Sequence, residues 1–114
     1  MKIGVICSGG DSPGMNAAIL GIKQTIEANS NLEEVFFKNG YQGIYEDNTL
    51  SIETNAIDIS RAGTSIGTAR FEQMREAKTR RKIIENLKNQ GIETLIVIGG
   101  NGSLKGAALL KEES

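Results

Sequence analysis

Residues 2–14 read KIGVICSGGDSPG, and residues 94–106 read TLIVIGGNGSLKG. Each stretch is a short apolar run followed by a glycine-rich turn and a helical pattern, which predicts two strand–turn–helix units. Glycine lets the backbone approach an anion closely, and the unpaired N–H groups at a helix N-terminus favour negative charge. One such unit is often only a short connection without a ligand. Two in one small domain predict a single polyanionic ligand.

The two common nucleotide-binding fingerprints are absent from these turns. The Walker pattern G-x-x-x-x-G-K-[ST] does not occur, and Gly9, Gly10 and Gly14 do not have the dinucleotide spacing G-x-G-x-x-G. The turns therefore predict a different way of holding phosphate.

Composition and charge narrow the class of protein. With 114 residues, 39% hydrophobic and 24% charged, the chain is expected to form one globular domain. The net charge of -1, without a basic stripe joined to aromatic residues, argues against a nucleic-acid partner. The first apolar run is too short for a signal sequence or a membrane span, so we expect a cytoplasmic protein without a membrane partner.

Cysteine and histidine usage excludes several chemistries. Cys7 is the only cysteine and there is no histidine. An internal disulfide, a cysteine-based metal site within the chain and histidine-dependent catalysis are therefore excluded. Because Cys7 lies at the end of a predicted strand, a buried thiol is the expected state.

Strand and helix patterns alternate along the chain. The predicted order is a strand at 3–7, a helix ending near 29, a strand at 34–38, a turn-rich stretch at 41–45, a short strand within 50–59, one helix over 72–89, a strand at 94–98 and a helix over 103–111. This alternation predicts an α/β fold with a doubly wound, mostly parallel sheet flanked by helices. The basic run Lys78, Arg80, Arg81 and Lys82 is expected to be a solvated helix face.

Three segments resemble the motifs of the 6-phosphofructokinases. They are residues 8–19 (SGGDSPGMNAAI), residues 63–70 (GTSIGTAR) and residues 99–103 (GGNGS), in the order that the family has them. The resemblance spans nearly the whole chain. It implies a Rossmann-like phosphofructokinase fold in which residues 1–114 form the N-terminal nucleotide-binding part.

The resemblance also implies a reaction and a set of site residues. ATP would transfer its γ-phosphoryl group to the 1-hydroxyl of fructose 6-phosphate, with Mg²⁺ as cofactor. The residues that would contact ATP are Gly10, Arg70, Phe71, Gly100, Asn101, Gly102 and Ser103. The family's catalytic aspartate and the arginines that bind fructose 6-phosphate lie beyond residue 114, so this piece is expected to be inactive alone. Family membership further implies a homotetramer.

The chain departs from the family pattern at several positions. Asn101 stands where the family has a magnesium-binding aspartate, and a neutral amide is a weaker ligand for a hard cation. Leu20 and Gln24 replace the basic residues that bind the effector's phosphates in allosteric members. Gly102 favours ATP as donor, because diphosphate-dependent relatives usually have an aspartate there.

Two alternative functions stay open at this point. A noncatalytic nucleotide-binding or regulatory paralogue is consistent with Asn101 and the short chain. A lipid or nicotinamide-nucleotide kinase is a weaker alternative, because those families share a glycine-rich turn but lack the sequence PGMN at residues 13–16.

Overall fold

The computed structural model describes residues 1–8, 15–50, 66, 71–99 and 101–113, and within the last range the side chains from residue 106 onward. The strands are β1 Lys2–Ser8, β2 Glu33–Phe37, β3 Thr49–Leu50 and β4 Ile92–Gly99. The α-helices are α1 Met15–Glu27, α2 Tyr41–Tyr45, α3 Ala77–Asn89 and α4 Asn101–Glu113, and a 3-10 helix spans Glu72–Arg75.

The described strands form one mixed sheet in the order β3-β2-β1-β4. β1 pairs in parallel with both β2 and β4, whereas the two-residue β3 pairs antiparallel with β2 at the edge. β1 is apolar throughout its centre because both of its faces are covered, and Val5, Ile6 and Cys7 are fully buried. The predicted mostly parallel α/β sheet is confirmed, and so is the buried thiol.

Helices cover both faces of the sheet. On the first face, α1 packs Met15, Ile19 and Ile26 against the odd-numbered residues of β1. On the second face, α2, α3 and α4 pack around Ile6 and Phe37. No helix in the described part of the chain is long and apolar enough to cross a membrane.

Two sequence predictions about helices were wrong. The stretch 41–45, predicted as turns, is the helix α2, which becomes possible because Gly43 has no side chain: a Cβ there would overlap the carbonyl oxygen of Lys38. The single helix predicted over 72–89 is instead a 3-10 helix and α3, separated by Glu76 in an extended conformation (φ −89°, ψ 128°). Of the strand predicted within 50–59, only Leu50 lies in the described residues.

One residue of the predicted solvated basic face is buried, which corrects that prediction. Arg80 is only 8% exposed, and its guanidinium donates to both carboxylate oxygens of Glu113 at 2.7–2.9 Å. It also donates to the carbonyl oxygen of Met74 at 2.7 Å. Arg80 therefore joins α3 to the C-terminal end of α4 and to the 3-10 helix.

A second ion pair joins α1 to β2. Lys23 donates to Glu34 at 2.9 Å and also lies 3.4 Å from Glu27. The hydrogen bond to Glu34 raises the pKa of Lys23 above its ordinary value, against the opposing effect of burial. Burial alone raises the pKa of Glu34, but its hydrogen bonds and the attraction of Lys23 outweigh burial, so the pKa of Glu34 is lowered.

Candidate functional site

The strands that precede the two glycine-rich turns are parallel neighbours. Their register pairs Cys7 with Ile98 and Ser8 with Gly99, so β1 and β4 end side by side at the same edge of the sheet. The helices that follow the two turns begin at Met15 and Asn101. Two helix N-termini therefore follow two adjacent strand ends, and because the N-terminal end of a helix favours negative charge, this arrangement is suited to binding phosphate.

The loop after β2 lies against the same edge. Gly40 has a φ of +65°, and a Cβ built there would lie 2.7 Å from the carbonyl oxygen of Cys7. Only a residue without a side chain allows this approach. The carboxyl ends of β1, β2 and β4 are thus in one place, which is where ligands bind in open α/β sheets.

The second sequence motif, residues 63–70, has one described residue, Ile66. Its side chain is 1% exposed and packs in the core cluster on the α1 face. Its carbonyl oxygen accepts a hydrogen bond of 3.0 Å from the N–H of Asn39, the residue just before Gly40. Ile66 is therefore bonded to the loop that contacts the end of β1.

Phe71 lies on the opposite face from Ile66. It packs against the cluster formed with α2, α3 and α4, and its ring centroid is 5.5 Å from that of Tyr45. Its carbonyl oxygen accepts a hydrogen bond from the N–H of Met74 in the 3-10 helix. Phe71 also lines a groove of about 560 Å³ whose charged lining residues are Glu46 and Glu72. Two carboxylates make this groove unsuited to an anion, so phosphate is expected at the sheet edge instead.

α4 packs on the apolar side chains of Tyr41 and Met74, a contact that was not predicted from the sequence. A Cβ built at Gly106 would lie 3.3 Å from both Met74 and the ring of Tyr41, so α4 packs directly on these residues. Burial raises the pKa of the Tyr41 hydroxyl to about 12, and the residue therefore stays neutral. The signal available in the sequence was Gly106 itself, because a glycine inside a helix weakens it unless close packing requires one.

The predicted site residues are only partly within the described structure. Gly10, Arg70 and Gly100 lie outside the described residues. Asn101, Gly102 and Ser103 form the first turn of α4 in their backbone. Across the described ranges, no group of three or more histidine, cysteine, aspartate or glutamate side chains could hold a metal ion.

Comparisons with known sequences show the family to which the chain belongs. The family model described as Phosphofructokinase matches residues 2–114. The ATP-dependent 6-phosphofructokinase of Vibrio cholerae serotype O1 is 51% identical over 97% of this chain. That of Serratia proteamaculans is 48% identical over 98% of the chain. The chain spans 35% of the length of each of these curated relatives.

Comparisons with solved structures agree with the fold. The phosphofructokinase of Pichia pastoris in the T-state has a TM-score of 0.89 at 35% identity, with 98% of this chain and 12% of that chain covered. The phosphofructokinase of Saccharomyces cerevisiae has a TM-score of 0.86 at 38% identity and covers 98% of this chain and 15% of its own. A pyrophosphate-dependent phosphofructokinase of Marinobacter aquaeolei has a TM-score of 0.82 at 20% identity, over 99% of this chain and 30% of its own, which shows the fold alone.

Proposed function

Since the chain belongs to the phosphofructokinase family, we propose that residues 1–114 are the nucleotide-binding N-terminal part of an ATP-dependent 6-phosphofructokinase. The whole enzyme would transfer the γ-phosphoryl group of ATP to the 1-hydroxyl of fructose 6-phosphate, giving fructose 1,6-bisphosphate and ADP, the committed step of glycolysis. The chain alone would bind nucleotide without turnover, because phosphoryl transfer depends on positioning both substrates.

One observation carries the proposal. Described parts of all three motifs lie at or beside the carboxyl edge of one sheet: Ser8 pairs with Gly99, Asn101 begins α4, and Ile66 is bonded to the loop after β2. A triphosphate is long enough and charged enough to contact two neighbouring helix N-termini at once. A regulatory paralogue would share this edge, so turnover by the complete protein is what separates the two functions.

The roles proposed for the individual residues come from the resemblance of their motifs to those of the family. Gly10 would let the backbone approach the phosphates after β1, and Gly100, Gly102 and Ser103 would do so at the start of α4. The guanidinium of Arg70 would form charge-assisted hydrogen bonds with phosphate oxygens and offset the charge that shifts during transfer. Phe71 would flank the nucleotide beside the apolar cluster in which it is packed.

Asn101 determines how magnesium could be held. Mg²⁺ prefers several oxygen ligands and usually keeps water and substrate phosphates in its shell. One neutral carbonyl oxygen fits an ion that is held chiefly by ATP, but it does not form a dedicated protein site. We therefore propose Asn101 as a weak ligand of an Mg²⁺ ion that ATP brings with it, where the ion would neutralise phosphate charge.

ATP is proposed as donor on two grounds that do not depend on the fold. Gly102 stands where diphosphate-dependent members of the family usually have an aspartate, and the relatives at 48–51% identity are named as ATP-dependent. The fold does not distinguish the donors, because a pyrophosphate-dependent phosphofructokinase shares it. The proposal also includes a homo-oligomeric enzyme, as the family resemblance implies, and a cytoplasmic location, as expected from the short first apolar run.

Calorimetric titration of the 114-residue chain with Mg·ATP tests the proposal. We expect the wild type to bind Mg·ATP. Arg70→Met should lower the affinity at least about tenfold, because a charge-assisted hydrogen bond is worth about 1.5–3 kcal/mol. Arg75→Met should change the affinity little. Arg75 is an exposed arginine on the neighbouring 3-10 helix and is the matched control. Equal effects of the two substitutions, or no binding by the folded wild type, would refute the proposal.

A coupled assay on the complete protein tests the role of Asn101. We expect Asn101→Asp to raise activity at limiting Mg²⁺ and to lower the Mg²⁺ concentration that half-saturates it, because a carboxylate binds the ion more strongly than an amide does. An unchanged Mg²⁺ dependence would show that residue 101 is not a ligand. Absence of turnover in both forms would favour the regulatory paralogue.

A further inference from the structure

The chain contains two asparagine–glycine pairs, Asn39–Gly40 and Asn101–Gly102. In such a pair the backbone nitrogen of the glycine can attack the side-chain carbonyl carbon of the asparagine, because glycine has no Cβ to obstruct the approach. The first pair lies in the loop between β2 and α2, and the second pair begins α4. These surroundings differ, so the two pairs should differ in reactivity.

The reaction in question is deamidation. At the second pair, the nitrogen of Gly102 would lose its proton and bond to Cγ of Asn101, whose amide nitrogen would leave as ammonia. The product is a five-membered succinimide ring, which water opens at one of its two carbonyl carbons. Opening at Cγ gives aspartate, and opening at the backbone carbonyl gives isoaspartate. One water is consumed, one ammonia is released, and the chain gains one negative charge without any oxidation or reduction.

The fold holds the first pair in place. The N–H of Asn39 donates to the carbonyl oxygen of Ile66 at 3.0 Å, and the carbonyl oxygen of Gly40 accepts from the N–H of Gly43 at 3.1 Å. Gly40 is buried, and its Cβ position lies 2.7 Å from the carbonyl oxygen of Cys7. Ring closure turns the asparagine backbone and draws the glycine nitrogen toward the side chain, so it would have to break these contacts first.

The second pair occupies the first two positions of a helix, because α4 begins at Asn101. Helix ends fray, and opening one terminal turn costs less than releasing a loop that is packed against other segments. The charged product is also favoured at this position, because the N-terminal end of a helix stabilises negative charge. Both effects favour deamidation at the second pair.

We propose that Asn101 is a site of spontaneous deamidation, in which Gly102 supplies the attacking nitrogen, whereas the fold protects Asn39. The aspartyl product would place a carboxylate at the residue proposed above as a weak Mg²⁺ ligand, and Mg²⁺ binds carboxylates more strongly than amides. The isoaspartyl product would lengthen the backbone by one methylene group and so disturb the first turn of α4. The modification does not depend on nucleotide binding, and only its consequence for Mg²⁺ rests on the proposed function.

Peptide mapping by mass spectrometry tests the proposal. The 114-residue chain is incubated in a mildly alkaline buffer prepared with heavy-oxygen water, which labels each new carboxylate. Deamidation at Asn101 should be at least about tenfold faster than at Asn39, which corresponds to about 1.4 kcal/mol of additional cost in opening the loop. Asn89, which is exposed and followed by a glutamine, should react more slowly than Asn101. In guanidinium, where the loop contacts are lost, the rates at Asn101 and Asn39 should converge.

Two glycine substitutions separate the chemistry of the pair from the stability of the fold. Gly102→Ala places a Cβ beside the attacking nitrogen and should slow the modification of Asn101 several-fold. Gly21→Ala is the matched control, because it lies in α1 with nothing within 4 Å of a Cβ, and it should leave the rate at Asn101 unchanged.

Equal rates at Asn101 and Asn39 in the folded chain would overturn the proposal, and so would a rate at Asn101 no higher than that at Asn89. A difference between the two pairs that persists in guanidinium would show that the fold does not protect Asn39, which equally refutes it. Calorimetric titration of the aspartyl form with Mg·ATP tests the proposed function separately. An affinity equal to that of the unmodified chain would contradict the role of residue 101 in holding Mg²⁺, with the modification itself already established by the mass spectra.

Discussion

Replacement of Gly40 by alanine tests how the loop after β2 is held against the end of β1. Gly40 has φ +65° and ψ −139°, and a Cβ there would lie 2.7 Å from the carbonyl oxygen of Cys7. For a residue with a side chain, such a backbone conformation costs about 1–3 kcal/mol. The overlap with a fixed backbone oxygen adds about 1–3 kcal/mol. We therefore expect Gly40→Ala to lower the free energy of unfolding by about 3–4 kcal/mol.

Two other glycines separate these contributions. Gly91 also has a positive φ (+74°), but the nearest atom to its Cβ would be the Cδ of Lys2 at 3.9 Å, so Gly91→Ala should cost only the backbone strain, about 1 kcal/mol. Gly21 lies in α1 with nothing within 4 Å of a Cβ, and Gly21→Ala should stabilise the protein by about 0.5–1 kcal/mol.

Guanidinium unfolding followed by far-UV circular dichroism measures all three variants, with the free-energy change taken from the shift in midpoint at constant m. The reasoning requires the order Gly21→Ala most stable, Gly91→Ala below the wild type, and Gly40→Ala least stable. If Gly40→Ala is no less stable than Gly91→Ala, the close approach to Cys7 contributes nothing and the argument is wrong.

Three further predictions follow from buried contacts. The pKa of Glu34 is lowered in the fold, so its ion pair stabilises the protein above pH 4.5, and this stabilisation is lost as the pH falls through the lowered pKa. Glu34→Gln should therefore make the free energy of unfolding depend less on pH in the acid range. An unchanged pH dependence would contradict this. Ile66→Ala should cost about 2–4 kcal/mol in urea unfolding, whereas Leu109→Ala at the surface should cost under about 0.5 kcal/mol. Arg80→Met should speed hydrogen exchange at the end of α4, while Arg81→Met, its exposed neighbour, should not; equal rates in both variants would exclude the link to Glu113.

Much of the fold could be predicted because the relevant patterns are local. The uninterrupted apolar run of β1 indicates a strand buried on both faces, and the apolar spacing of Met15, Ile19 and Ile26 indicates the buried side of α1. Placing the two glycine-rich turns together required only that both strands be parallel and adjacent, which their register confirms.

The features that the sequence did not reveal depend on contacts between distant residues. α2 forms in a glycine-containing stretch because Gly40 packs against the backbone of Cys7 and Gly43 packs against that of Lys38. Helix propensity does not reflect such contacts. Arg80 resembles its exposed neighbours until Glu113, 33 positions later, is brought beside it. The contact between Ile66 and Asn39, which are 27 positions apart in the sequence, likewise has no local signal.

The hydrogen bond between Asn39 and Ile66 affects how tightly the edge would bind the proposed nucleotide. Asn39 is bonded to Ile66, and the adjoining Gly40 contacts Cys7. The loop after β2 therefore links Ile66 to the end of β1. The entropy of bringing those segments together is thereby lost when the chain folds and not when a ligand arrives. If the contacts of this loop are weakened, the first effect should be a smaller association constant for nucleotide, while the sheet stays intact.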